Sequence, residues 1–190
     1  MPAYLQGRND ELSSLNGFLD DPLKLVAVLP GRGGIGKTKR ANHLSGWTPI
    51  WVSAAGTWHR ETAKEIPSGN VIVIADDAHR YQHLAELIAL VSVLSTGRKV
   101  KLVVGTRPSG TSYVNDRLAR SLDETRVIRF QSLEQLKLKD TIALAEEVLG
   151  PECKEIARPL AEISKDTPLV TVVGGRFNLA RANPPCRTCK

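Results

Sequence analysis

The chain has 190 residues, of which 42% are apolar and 24% charged; this is the make-up of one ordinary soluble domain with a small appendage, and it excludes a long disordered chain. The formal charge is +6, but Arg176, Arg181, Arg187 and Lys190 supply +4 of it within residues 176–190, leaving +2 on the other 175 residues. Three cysteines are too few for a disulfide framework, and the N-terminus has neither the basic start nor the apolar run of a signal peptide; the expectation is a soluble cytoplasmic protein with no membrane span.

Short apolar runs alternate with helical stretches, so the expected fold is α/β with a parallel sheet. A first strand over residues 23–29 runs into a glycine-rich loop, followed by a helix over 37–44. Trp47, Trp51 and Trp58 cluster around a second strand at 50–53, where packing at a sheet edge is favoured over a ligand platform. Residues 71–75 and 100–105 are almost continuous Val, Ile and Leu, as strands buried on both faces should be. Between them Tyr81, Leu84, Ile88, Val91 and Leu94 recur at helical spacing, with Gly97 as a stop. A helix over 112–122 and a fifth strand over 126–130 follow.

After Phe130 the strands cease. Ser132-Leu133-Glu134-Gln135 has the form of a capping box. Leu138, Ile142, Ala145 and Leu149 share one helical face that Gly150-Pro151 closes. Pro159 is expected to break or kink the next helix near Arg158. Thr167 and Pro168 open a last helix, and Gly174-Gly175 ends it.

Three segments carry chemistry. Gly31-Arg32-Gly33-Gly34-Ile35-Gly36-Lys37-Thr38 is a complete phosphate-binding loop, with a strand before it and a helix expected after it. Glycines let such a loop wrap its N–H groups around phosphate oxygens, the helix start favours the same anion, Lys37 reaches the β- and γ-phosphates, and the Thr38 hydroxyl suits Mg²⁺. Asp76 and Asp77 end the apolar run 71–75: Asp76 is read as the Mg²⁺ acid and Asp77 as the group that orients or deprotonates an attacking water. The alternative is that the pair caps a helix beginning near Ala78. Thr106 and Arg107 end the run 100–105 and are read as reaching the γ-phosphate.

Taken in order, these segments resemble the STAND class of P-loop ATPases, the AAA+ relatives that include NB-ARC and NACHT switch proteins. Gly7-Arg8-Asn9-Asp10-Glu11-Leu12 is similar to the motif that precedes the P-loop in that class, IADDAH at 74–79 to its Walker B strand, VVGTRP at 103–108 to its sensor strand, and Thr167-Pro168-Leu169-Val170 to its GxP motif. The resemblance implies bound ATP or ADP with Mg²⁺, Arg8 and Pro168 beside the base, and slow hydrolysis. It implies a sheet order of 5-1-4-3-2. The residues themselves divide the chain into a five-stranded domain over 1–130, a helical lid over 131–175 and a basic tail over 176–190, whose two adjacent prolines and lack of apolar periodicity read as disorder. The glycine of GxP is replaced here, and the second acid is an aspartate, one methylene shorter than the glutamate of that class. STAND proteins also continue into further domains, so the chain reads as truncated after the lid, and a second copy or another protein is the expected partner.

Rival readings are a P-loop kinase, a nucleotide-binding module without hydrolysis, and a nucleic-acid-associated ATPase. No arginine-rich lid supports the kinase. The nearly neutral core argues against nucleic acid. Cys186 and Cys189 supply only half of a zinc site.

Overall fold

The computed structural model describes residues 9–34, 46–59, 61–164 and 167–182. The described residues fall into two compact units, one of residues 10–33, 46–59 and 61–133, the other of residues 9, 34, 134–164 and 167–182.

The first unit is built on five parallel strands: β1 (Val26–Pro30), β2 (Thr48–Trp51), β3 (Val71–Ala75), β4 (Val100–Thr106) and β5 (Val127–Arg129). Their order is β2-β3-β4-β1-β5, which is the expected 5-1-4-3-2 read from the opposite edge. Strict alternation divides the core. Val26, Val28, Val73, Leu102 and Val104 face helices α2 (Leu84–Leu94) and α3 (Thr111–Ser121). Ala27, Leu29, Ile72, Ile74 and Val103 face Leu15, Phe18 and Leu19 of α1 (Asn9–Asp20). Burial on both faces is why these strands are continuously apolar. Trp47 packs on the α1 side and Trp58 on the α2 side.

Several local expectations are corrected. Leu23, 72% exposed, stays outside β1, and α1 occupies a stretch read from sequence only as a motif. The 132–135 capping box does not form: Leu133 pairs with Gly31 and donates its N–H to the Pro30 carbonyl at 3.0 Å, so strand-like pairing holds this segment extended and the helix starts later. The helix predicted over 37–44 lies outside the described residues.

The second unit packs α4 (Leu138–Leu149) against α5 (Ala157–Ser164) and α6 (Pro168–Ala182). Leu144, Ala145, Leu149, Ala157 and Ala161 are buried between them. Pro159 does not break α5. It sits in the first turn, where a missing N–H costs no intrahelical bond. Gly174 and Gly175 do not end α6, which continues to Ala182. A Cβ on Gly174 would stand 2.8 Å from Leu160, and one on Gly175 2.6 Å from Val148; these glycines allow close helix packing, which explains their place inside a helix. Thr171 is buried and pairs with Ser164 at 2.8 Å, which closes the junction of α5 and α6.

Candidate functional site

Strand register assembles the site. Pro30 of β1 lies beside Thr106 of β4, and Ala75 of β3 beside Val104. All three strands are parallel, so their carboxyl ends release Gly31, Asp76 and Arg107 at one end of the sheet, where ligands of open α/β sheets bind. The Gly31 N–H donates to the Thr106 carbonyl at 3.0 Å. Thr106 is fully buried and its hydroxyl donates to the Arg107 carbonyl at 3.2 Å. It therefore anchors the strand end.

The chain turns sharply after β3. Asp77 has φ 49° and ψ 43°, the one positive φ outside glycine among the described residues. Left-handed backbone is disfavoured for most L-residues, and aspartate is among those that tolerate it. The Asp76 carboxylate accepts the Asp77 N–H at 2.9 Å and fixes the turn. Asp77 precedes a 3-10 turn over Ala78–Arg80, but its side chain makes no cap. It is taken by Arg107 instead, whose Nε donates to Oδ1 at 3.3 Å and whose Nη2 donates to Oδ2 at 3.1 Å. These hydrogen bonds, and then the charge of Asp77, hold the Arg107 guanidinium still more firmly protonated. A Cβ built on Gly33 would lie 3.9 Å from Arg107 Nη2, so the guanidinium stands beside the glycine loop as well.

Two further contacts join the acid turn to the arginine turn. A Cβ on Gly110 would collide with His79 Cβ; only glycine lets the imidazole rest there. Tyr113 donates its hydroxyl to the Tyr81 carbonyl at 2.8 Å. Tyr81 is buried and donates to the Val52 carbonyl at 2.5 Å. Burial first, and then the charge of Asp76, push its phenol up. Neither the His79–Gly110 packing nor the Asp77–Arg107 pair was anticipated from sequence. Both join residues about thirty positions apart, for which a single sequence carries no signal.

Of the residues singled out, Gly31, Arg32, Gly33, Asp76, Asp77 and Arg107 belong to the sheet unit. Gly34 and Pro168 belong to the helical unit. Gly34 has φ +76°, its carbonyl accepts the Leu169 N–H at 3.2 Å, and a Cβ there would approach Leu169 Cβ to 3.0 Å. Arg8, Ile35, Gly36, Lys37 and Thr38 lie outside the described residues, as do Cys186 and Cys189. No helix among the described residues is long and apolar enough to cross a membrane.

No protein-family model matches the chain, and no curated protein matches it in sequence. Solved structures do. Hsp104 of S. cerevisiae, in its extended complex with casein, superposes with a TM-score of 0.69 at 17% identity, covering 93% of this chain and 37% of that one. A variant of RuvB from Thermotoga maritima gives 0.63 at 16% identity, covering 93% and 63%. PCH-2 of C. elegans gives 0.53 at 11% identity, covering 92% and 69%. These neighbours are AAA+ P-loop ATPases, and the chain has an AAA+-type P-loop fold. It spans less than two thirds of the Hsp104 and RuvB chains.

Proposed function

We propose that the chain binds ATP with Mg²⁺ and hydrolyses it slowly to ADP and phosphate, as a nucleotide-controlled switch module of the STAND type working in the cytoplasm. One observation carries the reading: a carboxylate and a guanidinium from neighbouring strand ends, Asp77 and Arg107, meet beside the glycine loop. A terminal phosphate needs a fixed cation, and an attacking water needs a base.

In this reading the N–H groups of residues 31–36 wrap the phosphates, Lys37 pairs with the β- and γ-phosphates, and Arg8 and Pro168 flank the base. Thr38 and Asp76 hold Mg²⁺, which when bound neutralises phosphate charge. The described residues contain no cluster of three or more metal-ligating side chains, and this donor set fits Mg²⁺, which keeps water and phosphate oxygens as most of its ligands. Arg107 and Asp77 hold each other until a phosphate competes for the guanidinium. The released carboxylate then accepts the proton of the attacking water. Tying the base to the presence of a terminal phosphate leaves the ADP-bound chain idle, as a switch requires. A protein partner or a second copy of the chain reads the two states.

Asp77→Asn tests the proposal, because asparagine also tolerates the left-handed turn. ATP affinity is expected to stay within about twofold of the parent while turnover falls at least about 100-fold. Parent-like turnover would overturn the assignment of Asp77.

A further inference from the structure

Beside β2, on the sheet face that α2 covers, lies a cavity of about 200 Å³. Ile50, Trp51, Trp58, Ile66, Leu87 and Val91 give it an apolar wall. The Trp58 ring rests closely on Gly56: a Cβ there would stand 2.7 Å from its Cζ2. The Trp58 indole N–H is buried and has no hydrogen-bond partner among the described residues. Of the lining residues that carry hydroxyls, Thr62 accepts the His59 N–H and Ser53 the Ala55 N–H, each at 3.3 Å. Among the described residues that line it, Glu65 alone is charged; it is exposed and makes no ion pair with any described residue.

Water is a poor occupant of such a space, because it needs two to four polar partners. An apolar cavity of about 150 Å³ already holds benzene. At the packing density of protein interiors, the present one takes about eight non-hydrogen atoms. Two indoles and a lone carboxylate select the charge of the occupant: ring faces attract a cation, and Glu65 repels an anion. We infer that this cavity is a binding site for a small organic amine, with a compact aryl or branched alkyl body against Trp58 and Leu87 and its ammonium group toward Glu65.

The test titrates the whole chain with three probes of one size, benzylammonium, benzyl alcohol and benzoate, following the Trp58 indole N–H resonance, assigned with Trp58→Phe. Benzylammonium is expected to shift the resonance saturably, with benzyl alcohol up to about fivefold weaker, the upper end of what one partly exposed charge pair contributes, and benzoate weaker still. Glu65→Gln, an exposed substitution that leaves the fold intact, should bring benzylammonium to the level of benzyl alcohol. Absence of a saturable shift with all three probes would overturn the site, and an unchanged preference in Glu65→Gln would overturn its selectivity for amines.

Discussion

Replacing Gly110 by alanine asks whether the acid turn and the arginine turn form one packed unit. The backbone itself permits the change, since Gly110 has φ −99° and ψ 0°. The obstacle is His79: the new methyl would collide with its Cβ and stand 2.5 Å from Cγ and 2.9 Å from Nδ1, where ordinary contacts begin at 3.4 Å. Those atoms are the root of the side chain, so relief requires moving the 3-10 turn and not merely swinging a flexible tip. Overpacking of this kind costs about 1–3 kcal/mol, and the lower freedom of alanine in the unfolded chain offsets about 0.4–1 kcal/mol. The midpoints of the two ranges leave a net loss of about 1.3 kcal/mol, which lowers Tm by roughly 3–5 °C for a chain of this size. Differential scanning calorimetry at fixed protein concentration measures it. A Tm equal to or above that of the parent would refute the packing of His79 on Gly110, and with it the view that Asp77 and Arg107 stand on one rigid platform.

Lys101, 7% exposed, donates its ammonium to the carbonyls of Phe18 and Asp21 and so ties the end of α1 to β4. Lys101→Met keeps the apolar stem and removes the donors; urea unfolding is expected to show a loss of about 1–3 kcal/mol, and an unmoved midpoint would contradict that role. Glu124 accepts two hydrogen bonds from Arg129, at 2.6 and 2.9 Å, and these hold its carboxyl below the ordinary glutamate range. A depressed folded value means the pair stabilises the fold above the ordinary glutamate range and that this contribution is lost as pH falls through the lowered value. Tm followed against pH should therefore fall less steeply on the acid side in Glu124→Gln, whereas parallel curves would dismiss the pair.

The parts of the fold legible in sequence are those whose burial is uniform. The run 71–75 is apolar throughout and becomes β3 without a shift in boundary, because both of its faces are covered. The face Leu138, Ile142, Ala145, Leu149 with its Gly-Pro stop becomes α4 at Leu138–Leu149. The spacing of Leu12, Leu15, Phe18 and Leu19 also fits helix α1, whose first residues coincide with the motif at 7–12. Local rules fail where tertiary partners compete. The signature at 132–135 gives way to the pairing of Leu133 with Gly31. The Gly174-Gly175 stop gives way to close packing against Val148 and Leu160. The site was half legible: glycines, acids and arginine announce themselves by type and order, whereas the Asp77–Arg107 pair and the glycine beneath His79 exist only through strand register.

The most direct measurement is equilibrium binding of ATP with Mg²⁺ to the purified chain and to Lys37→Ala, by titration calorimetry. The parent is expected to saturate with one nucleotide per chain, and Lys37→Ala to bind at least about tenfold more weakly, the loss expected on removing one charge-assisted contact. A parent that binds no nucleotide, or a variant that binds it equally well, would contradict the phosphate-binding loop on which the proposed function rests.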